Sequence, residues 1–82
     1  MFKVVITHNA LKDINNLTQD VKKRIASKIK EYSNDPIHYS RKLTDPKIGS
    51  YRFRIGDYRV IFDIEDETII VLRVGHRKDI YK

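Results

Sequence analysis

The 82-residue sequence has no cysteine, and it has only three glycines and two prolines. Because cysteine is missing, disulfides and cysteine-ligated metals are excluded, and a reducing compartment fits the composition. Long hydrophobic runs are missing as well, since residues 2–6 are interrupted by Lys3 and are too few for a signal peptide or a membrane span. We therefore expect a cytoplasmic protein with no membrane partner, no metal and no small-molecule cofactor.

Basic side chains are in excess, with 17 lysines and arginines against 11 acidic residues and a formal net charge of +6. On a chain of this length, such an excess predicts a polyanionic partner such as nucleic acid or the ribosome, and charge kept for solubility is the alternative. The apolar content of 40% and the charged content of 34% suit one folded domain. A chain this short buries only about 60% of its unfolded surface, so we expect modest stability.

Hydrophobic spacing predicts an α+β domain in which two helices cover one face of an antiparallel meander. The predicted elements are a strand at 2–6, helices at 9–17 and 20–33, and strands at about 50–55, 58–64 and 68–74. Asn34, Asp35 and Pro36 end the second helix, because the residue before a proline avoids the α region. Residues 36–50 show no clear period and are predicted to be a connecting segment.

The segment YRFRIGDYRV, residues 51–60, predicts a hairpin with a two-residue turn at Gly56-Asp57. In that register Phe53 lies opposite Val60, and four aromatic side chains point to the core: Tyr51, Phe53, Tyr58 and Phe62. Arg54 then lies directly opposite Arg59, and like charges in that position destabilise a hairpin. A local rule broken in this way is typical of a functional site.

Residues 41–81 resemble the C-terminal half of the RelE/ParE toxin superfamily, and the segments YRFRIGDYRVIF and VLRVGHRKDIY carry most of the likeness. The N-terminal strand and helix pair fit too, so the resemblance implies one small RelE-like domain over residues 1–82. It also implies one of two activities. RelE-like members cleave mRNA in the ribosomal A site, whereas ParE-like members poison DNA gyrase. An antitoxin usually encoded beside the toxin restrains both.

RNA is cleaved without a metal when its own 2′-hydroxyl attacks the neighbouring phosphate in line. The transition state needs fixed positive donors for the phosphoryl oxygens, a base for the 2′-hydroxyl and an acid for the leaving 5′-oxygen. Arginine suits the first task, because its planar fork binds phosphate bidentately and keeps its charge. The resemblance assigns this chemistry to basic residues on two meander strands and to two residues near the C-terminus: Arg52, Arg54, Arg59, Arg77 and Tyr81.

One departure affects the proton transfers. The best-known nucleases of the superfamily have lysine at the positions of Arg52 and Arg54, and arginine, unlike lysine, is not expected to deprotonate. Proton transfer then falls to Tyr81 or to His76, whose imidazole suits either role near neutral pH. The alternative for His76 is a tail histidine without chemistry.

Five further basic residues are candidates for contact with RNA or the ribosome: Arg41, Lys42, Lys47, Arg73 and Lys78. The first three lie in the predicted connecting segment, where solvated charge is the alternative. The position of Arg73 depends on the turn at 65–67. A three-residue turn places Arg73 opposite Arg59 and extends the basic row, whereas a two-residue turn points it to the opposite face.

These residues favour a toxin that acts as a ribosome-dependent mRNA endoribonuclease. Its expected partners are the ribosome, A-site mRNA and an antitoxin rich in Asp and Glu. Two alternatives remain at this point. One is a ParE-like, non-enzymatic inhibitor of gyrase, and the other is a catalytically weakened relative that binds RNA or the ribosome.

Overall fold

The computed structural model describes residues 2–44 and 49–80 of the chain. The elements in chain order are β1 (Lys3–Ile6), α1 (His8–Asn15), α2 (Gln19–Tyr32), α3 (Pro36–Tyr39), β2 (Ser40–Lys42), β3 (Tyr51–Ile55), β4 (Tyr58–Glu65) and β5 (Thr68–His76). The predicted α+β class, the helix pair and the three-stranded meander are confirmed. In the part of the chain described, no helix is long and apolar enough to cross a membrane.

The prediction that residues 36–50 only connect is wrong, because this segment contains α3 and β2. Asp35 caps α3 by accepting a hydrogen bond from the His38 backbone N–H at 3.4 Å, and Pro36 fits the first helical position. The β2 strand pairs antiparallel with β3. Both elements are too short to show a hydrophobic period, which is why the sequence pattern misses them.

The sheet has five strands in the order β1-β5-β4-β3-β2. The β1 strand runs parallel to β5, and the other neighbours are antiparallel. Helices α1 and α2 pack on one face, where Ala10, Ile25 and Ile29 meet the inward side chains of the meander. The opposite face of β3 and β4 therefore remains available for polar side chains.

The predicted phase of the β3–β4 hairpin is confirmed. Phe53 and Phe62 are fully buried with their rings stacked at 4.2 Å, and Tyr51 and Tyr58 pack against the same core. Gly56 has a φ of 59° as the first of the two turn residues, a conformation that glycine adopts without strain. Slippage by one residue would move this aromatic core to the solvent face, so the positions of the neighbouring arginines are fixed as well.

Candidate nucleic-acid interface

Four arginines lie on the sheet face opposite the helices, which we call the arginine face: Arg41, Arg52, Arg54 and Arg59. Arg54 lies directly opposite Arg59, as the sequence predicts. Arg52 lies opposite Ile61 on one side and opposite Arg41 of β2 on the other. The Arg41–Arg52 pair is a second cross-strand pair of like charges. The sequence pattern does not predict this pair, because β2 is too short to show a hydrophobic period.

Arg59 is the anchored member of the arginine face, with only 6% of its surface exposed. Its Nη1 donates hydrogen bonds to the backbone carbonyls of Gly56 and Tyr58, each at 2.8 Å. These bonds satisfy part of a buried charge and hold the guanidinium against the hairpin turn. Arg54 is exposed. The pair therefore combines one fixed guanidinium with one that can move toward an anion.

Arg77 is attached to the same turn from the C-terminal side. Its backbone N–H donates to the Asp57 carbonyl at 2.8 Å, and its Nε lies 3.7 Å from Asp57 Oδ1. Gly75 lies opposite Arg59, so its missing side chain would point to the arginine face. A Cβ built on Gly75 would be 3.6 Å from Cβ of Ile80. The chain after β5 therefore turns back over the arginine face. The structure thus brings Arg54, Arg59 and Arg77 together around one turn.

Tyr81 and Lys47 lie outside the described residues, so their predicted roles remain predictions. Lys42 and Lys78 are exposed. Lys42 ends β2 opposite Tyr51, a residue that packs against the core on the other face of the sheet. Lys78 follows Arg77 in the turn after β5. Contact between RNA and these exposed lysines also remains a prediction.

His76 lies on the helix side of the sheet and not on the arginine face. It ends β5 opposite Tyr58, and the two rings meet edge-on with centroids 5.4 Å apart. Its Nδ1 accepts a hydrogen bond from the Lys78 backbone N–H at 3.1 Å. His76 therefore lies on the face of the sheet opposite to the side chains of Arg54 and Arg59, and its role in proton transfer remains a prediction.

The prediction that Arg73 lies opposite Arg59 is wrong. The β4–β5 turn has two residues, and a bulge between Ile61 and Phe62 shifts the register so that Arg73 lies opposite Ile61. Arg73 instead forms a two-bond ion pair with Asp13 of α1, at 2.8 Å from Nε and 3.2 Å from Nη2. The guanidinium of Arg73 is thus already engaged by a carboxylate. A role of Arg73 in RNA binding remains a prediction.

Asp13 also accepts a hydrogen bond from the Val74 backbone N–H at 2.9 Å, so one carboxylate joins α1 to β5. Burial alone would raise the pKa of Asp13, but the hydrogen bonds from Arg73 and Val74 outweigh burial and lower it. The same ion pair raises the pKa of Arg73 above its ordinary value. We interpret the Asp13–Arg73 pair as a structural clamp beside the site.

The family model for the ParE toxin of the parDE type II toxin–antitoxin system matches residues 4–81. The chain is 36% identical to toxin RelE3 of Methanocaldococcus jannaschii, covering 96% of this chain and 94% of that protein. It is 32% identical to toxin RelG of Mycobacterium tuberculosis, and the match covers 99% of this chain and 97% of that protein.

The chain belongs to the RelE/ParE toxin superfamily. Among solved structures, this toxin resembles the toxin–antitoxin complex RelBE2 of M. tuberculosis, with a TM-score of 0.84, 26% identity and coverage of 93% of this chain and 98% of that one. It also resembles the archaeal RelE–RelB complex of Pyrococcus horikoshii, with a TM-score of 0.76, 25% identity and coverage of 95% and 97%.

The arrangement in this toxin can hold a phosphoryl group. Arginine forks bind phosphate oxygens through paired hydrogen bonds, and an anchored guanidinium such as that of Arg59 needs little reorganisation when charge develops. Among residues 2–44 and 49–80, no group of three or more His, Cys, Asp or Glu side chains is placed to hold a metal ion.

Proposed function

We propose that this toxin is an mRNA endoribonuclease that acts on the ribosome. The observation that supports this most directly is the placement of Arg54, Arg59 and Arg77 around the Gly56-Asp57 turn. The guanidinium groups of Arg59 and Arg77 are each held by a residue of this turn, and Arg54 lies opposite Arg59. Such a region suits a phosphate that gains negative charge in the transition state.

Each residue has a distinct role in the proposed reaction. The RNA 2′-oxygen attacks the adjacent phosphorus, the bond to the 5′-oxygen breaks, and a 2′,3′-cyclic phosphate and a 5′-hydroxyl result. Arg59 stabilises the phosphoryl oxygens from a fixed position, while Arg54, Arg52 and Arg77 close on the same group from the solvent side. Tyr81 transfers a proton, as the acid for the leaving oxygen or as the base for the 2′-hydroxyl.

Dependence on the ribosome follows from the incomplete acid–base set. Arginines replace lysines at positions 52 and 54, so the site lacks the basic side chains that such enzymes ordinarily use there. Holding the 2′-oxygen in line with the phosphate supplies much of the rate enhancement in such a case. The ribosomal A site supplies that alignment, and it places the action of the toxin in the cytoplasm.

The test is translation in a cell-free system, with mRNA 5′ ends mapped by primer extension. We expect new cuts within A-site codons, no cuts in the same mRNA without ribosomes, and growth arrest on expression in cells. Intact mRNA during translation would contradict the proposal.

A ParE-like gyrase inhibitor is the second candidate, because the family model that matches is described as the ParE toxin. The two candidates separate in a DNA supercoiling assay. Blocked supercoiling together with intact mRNA supports the second candidate, and in that case the arginines serve only to bind the protein target.

We also propose an acidic antitoxin as the partner of this toxin. The M. tuberculosis and P. horikoshii structures are toxin–antitoxin complexes. Here Val4 and Ile6 of the edge strand β1 are more than one-third exposed, and they line an apolar groove with Ile25 and Ile29 of α2. Two lysines complete the groove, Lys22 and Lys30. An amphipathic segment with acidic flanks fits this groove through apolar burial and opposite charge.

A further inference from the structure

Arg24 of α2 reaches the hairpin turn from the helix side. The core-facing positions of this helix include Ile25 and Val21, so Arg24 projects from the flank of the helix. Its Nη1 lies 3.5 Å from the place where a Cβ on Gly56 would be. Because Gly56 has no side chain, the guanidinium lies close to the backbone of the turn.

The turn is therefore flanked by arginines on both sides of the sheet. Arg54 and Arg59 approach it from the arginine face, Arg77 is bonded to Asp57, and Arg24 approaches from the helix face. Within residues 2–44 and 49–80, neither Arg24 nor Arg54 has an ion-pair partner. Arg77 pairs with the carboxylate of Asp57, and an anion bound beside Arg24 and Arg54 would offset the repulsion between the guanidinium groups around the turn.

We propose that Arg24 is a substrate-positioning residue that binds a backbone phosphate of the mRNA next to the scissile phosphate. An RNA strand whose scissile phosphate lies against Arg54 and Arg59 leaves the arginine face over the Gly56-Asp57 turn. The next phosphate along that path meets Arg24. The contact is with the phosphate and is independent of the base, as phosphate contacts in general are. This inference rests on the proposed nuclease function.

The test compares Arg24→Gln with Lys23→Gln. Both residues are exposed, they are adjacent on α2, and both changes remove one positive charge. Binding is measured on ribosomes programmed with an mRNA that carries 2′-O-methyl groups at the A-site codon, so no cleavage occurs. We expect Arg24→Gln to weaken binding roughly tenfold. The slope of log affinity against log salt should decrease by about 0.7, the value for one single-strand phosphate contact. Arg24→Lys should restore part of the affinity and part of the salt dependence. Lys23→Gln should change the affinity by less than about twofold.

Four results would overturn this inference. If wild-type toxin cleaves mRNA but Arg24→Gln behaves like Lys23→Gln, Arg24 makes no substrate contact. If Arg24→Gln weakens binding equally to ribosomes without mRNA, or weakens capture of the antitoxin and not of programmed ribosomes, the residue contacts rRNA or protein. If wild-type toxin leaves mRNA intact during translation, the proposed function fails and this inference fails with it.

Discussion

The Arg54–Arg59 pair predicts that a single substitution stabilises the free toxin and impairs its activity. In Arg54→Gln the cross-strand repulsion disappears, while the Arg59 hydrogen bonds to the carbonyls of Gly56 and Tyr58 remain in place. Like charges directly opposite on two strands cost roughly 0.2–1 kcal/mol. Because Arg59 is already held by carbonyls, we expect the lower half of that range.

The expected change is measurable by thermal unfolding followed by circular dichroism. A free-energy change of 1 kcal/mol shifts the Tm of a domain this size by about 4–8 °C, so Arg54→Gln should raise the Tm by roughly 1–5 °C at low ionic strength. Lys23→Gln is the control for the loss of one positive charge at a site without a cross-strand arginine. In the translation assay, Arg54→Gln should lose most mRNA cleavage and Lys23→Gln should retain it.

Sulfate provides the second part of this experiment. An anion bound between the two guanidinium groups stabilises the folded state by mass action, so sulfate should raise the wild-type Tm more than that of Arg54→Gln. Sodium chloride at equal ionic strength separates this binding from general screening. A variant that is less stable than wild type and still cleaves mRNA at the wild-type rate would show that the pair is structural, and the reasoning would be refuted.

Four further outcomes are expected. Arg59→Ala should abolish cleavage and also lower stability by about 1–3 kcal/mol, because two turn carbonyls lose their donor; an alanine variant as stable as wild type in urea unfolding would contradict this. Tyr81→Phe should retain stability and lose most cleavage, and wild-type cleavage would remove the phenol from the mechanism. Asp13→Asn should cost about 1–3 kcal/mol at pH 7. Because the folded pKa of Asp13 is lowered, its contribution is complete above about pH 4 and is lost as the pH falls further, so the wild-type and Asp13→Asn unfolding free energies should converge in acid. The product of the neighbouring gene should be acidic and should form a tight complex in a pull-down, and a basic or non-binding product would count against the antitoxin proposal.

The sequence predicts the β3–β4 hairpin well, because three signals agree there. Alternation fixes which residues are buried, Gly56-Asp57 fixes the loop length, and both place Arg54 opposite Arg59. The same reasoning does not predict the cross-strand partner of Arg73. The β4–β5 turn has two residues instead of three, and the bulge at Ile61/Phe62 shifts the pairing by one further residue, so Arg73 lies opposite Ile61 and not opposite Arg59.

The candidate site is predicted less completely than the fold. Residue type and resemblance find Arg54, Arg59 and Arg77, but the burial of Arg59 depends on how the chain after β5 packs over the sheet. His76 has suitable chemistry, and only the strand register shows that it faces the helices. Arg24 belongs to a helix whose exposed side reads as solvated charge, so only the three-dimensional approach to Gly56 distinguishes it from its neighbours.

The Gly56-Asp57 turn links the stability of the toxin to its proposed chemistry. The carbonyl of Gly56 holds Arg59, and the carbonyl and carboxylate of Asp57 hold Arg77. Both guanidinium groups are thus oriented by a turn whose geometry is set by the buried aromatic core on either side of it. The core specifies the register, the register specifies the turn, and the turn orients the charges. A side chain on the flank of α2 can then contribute to the same site without any change in the sheet.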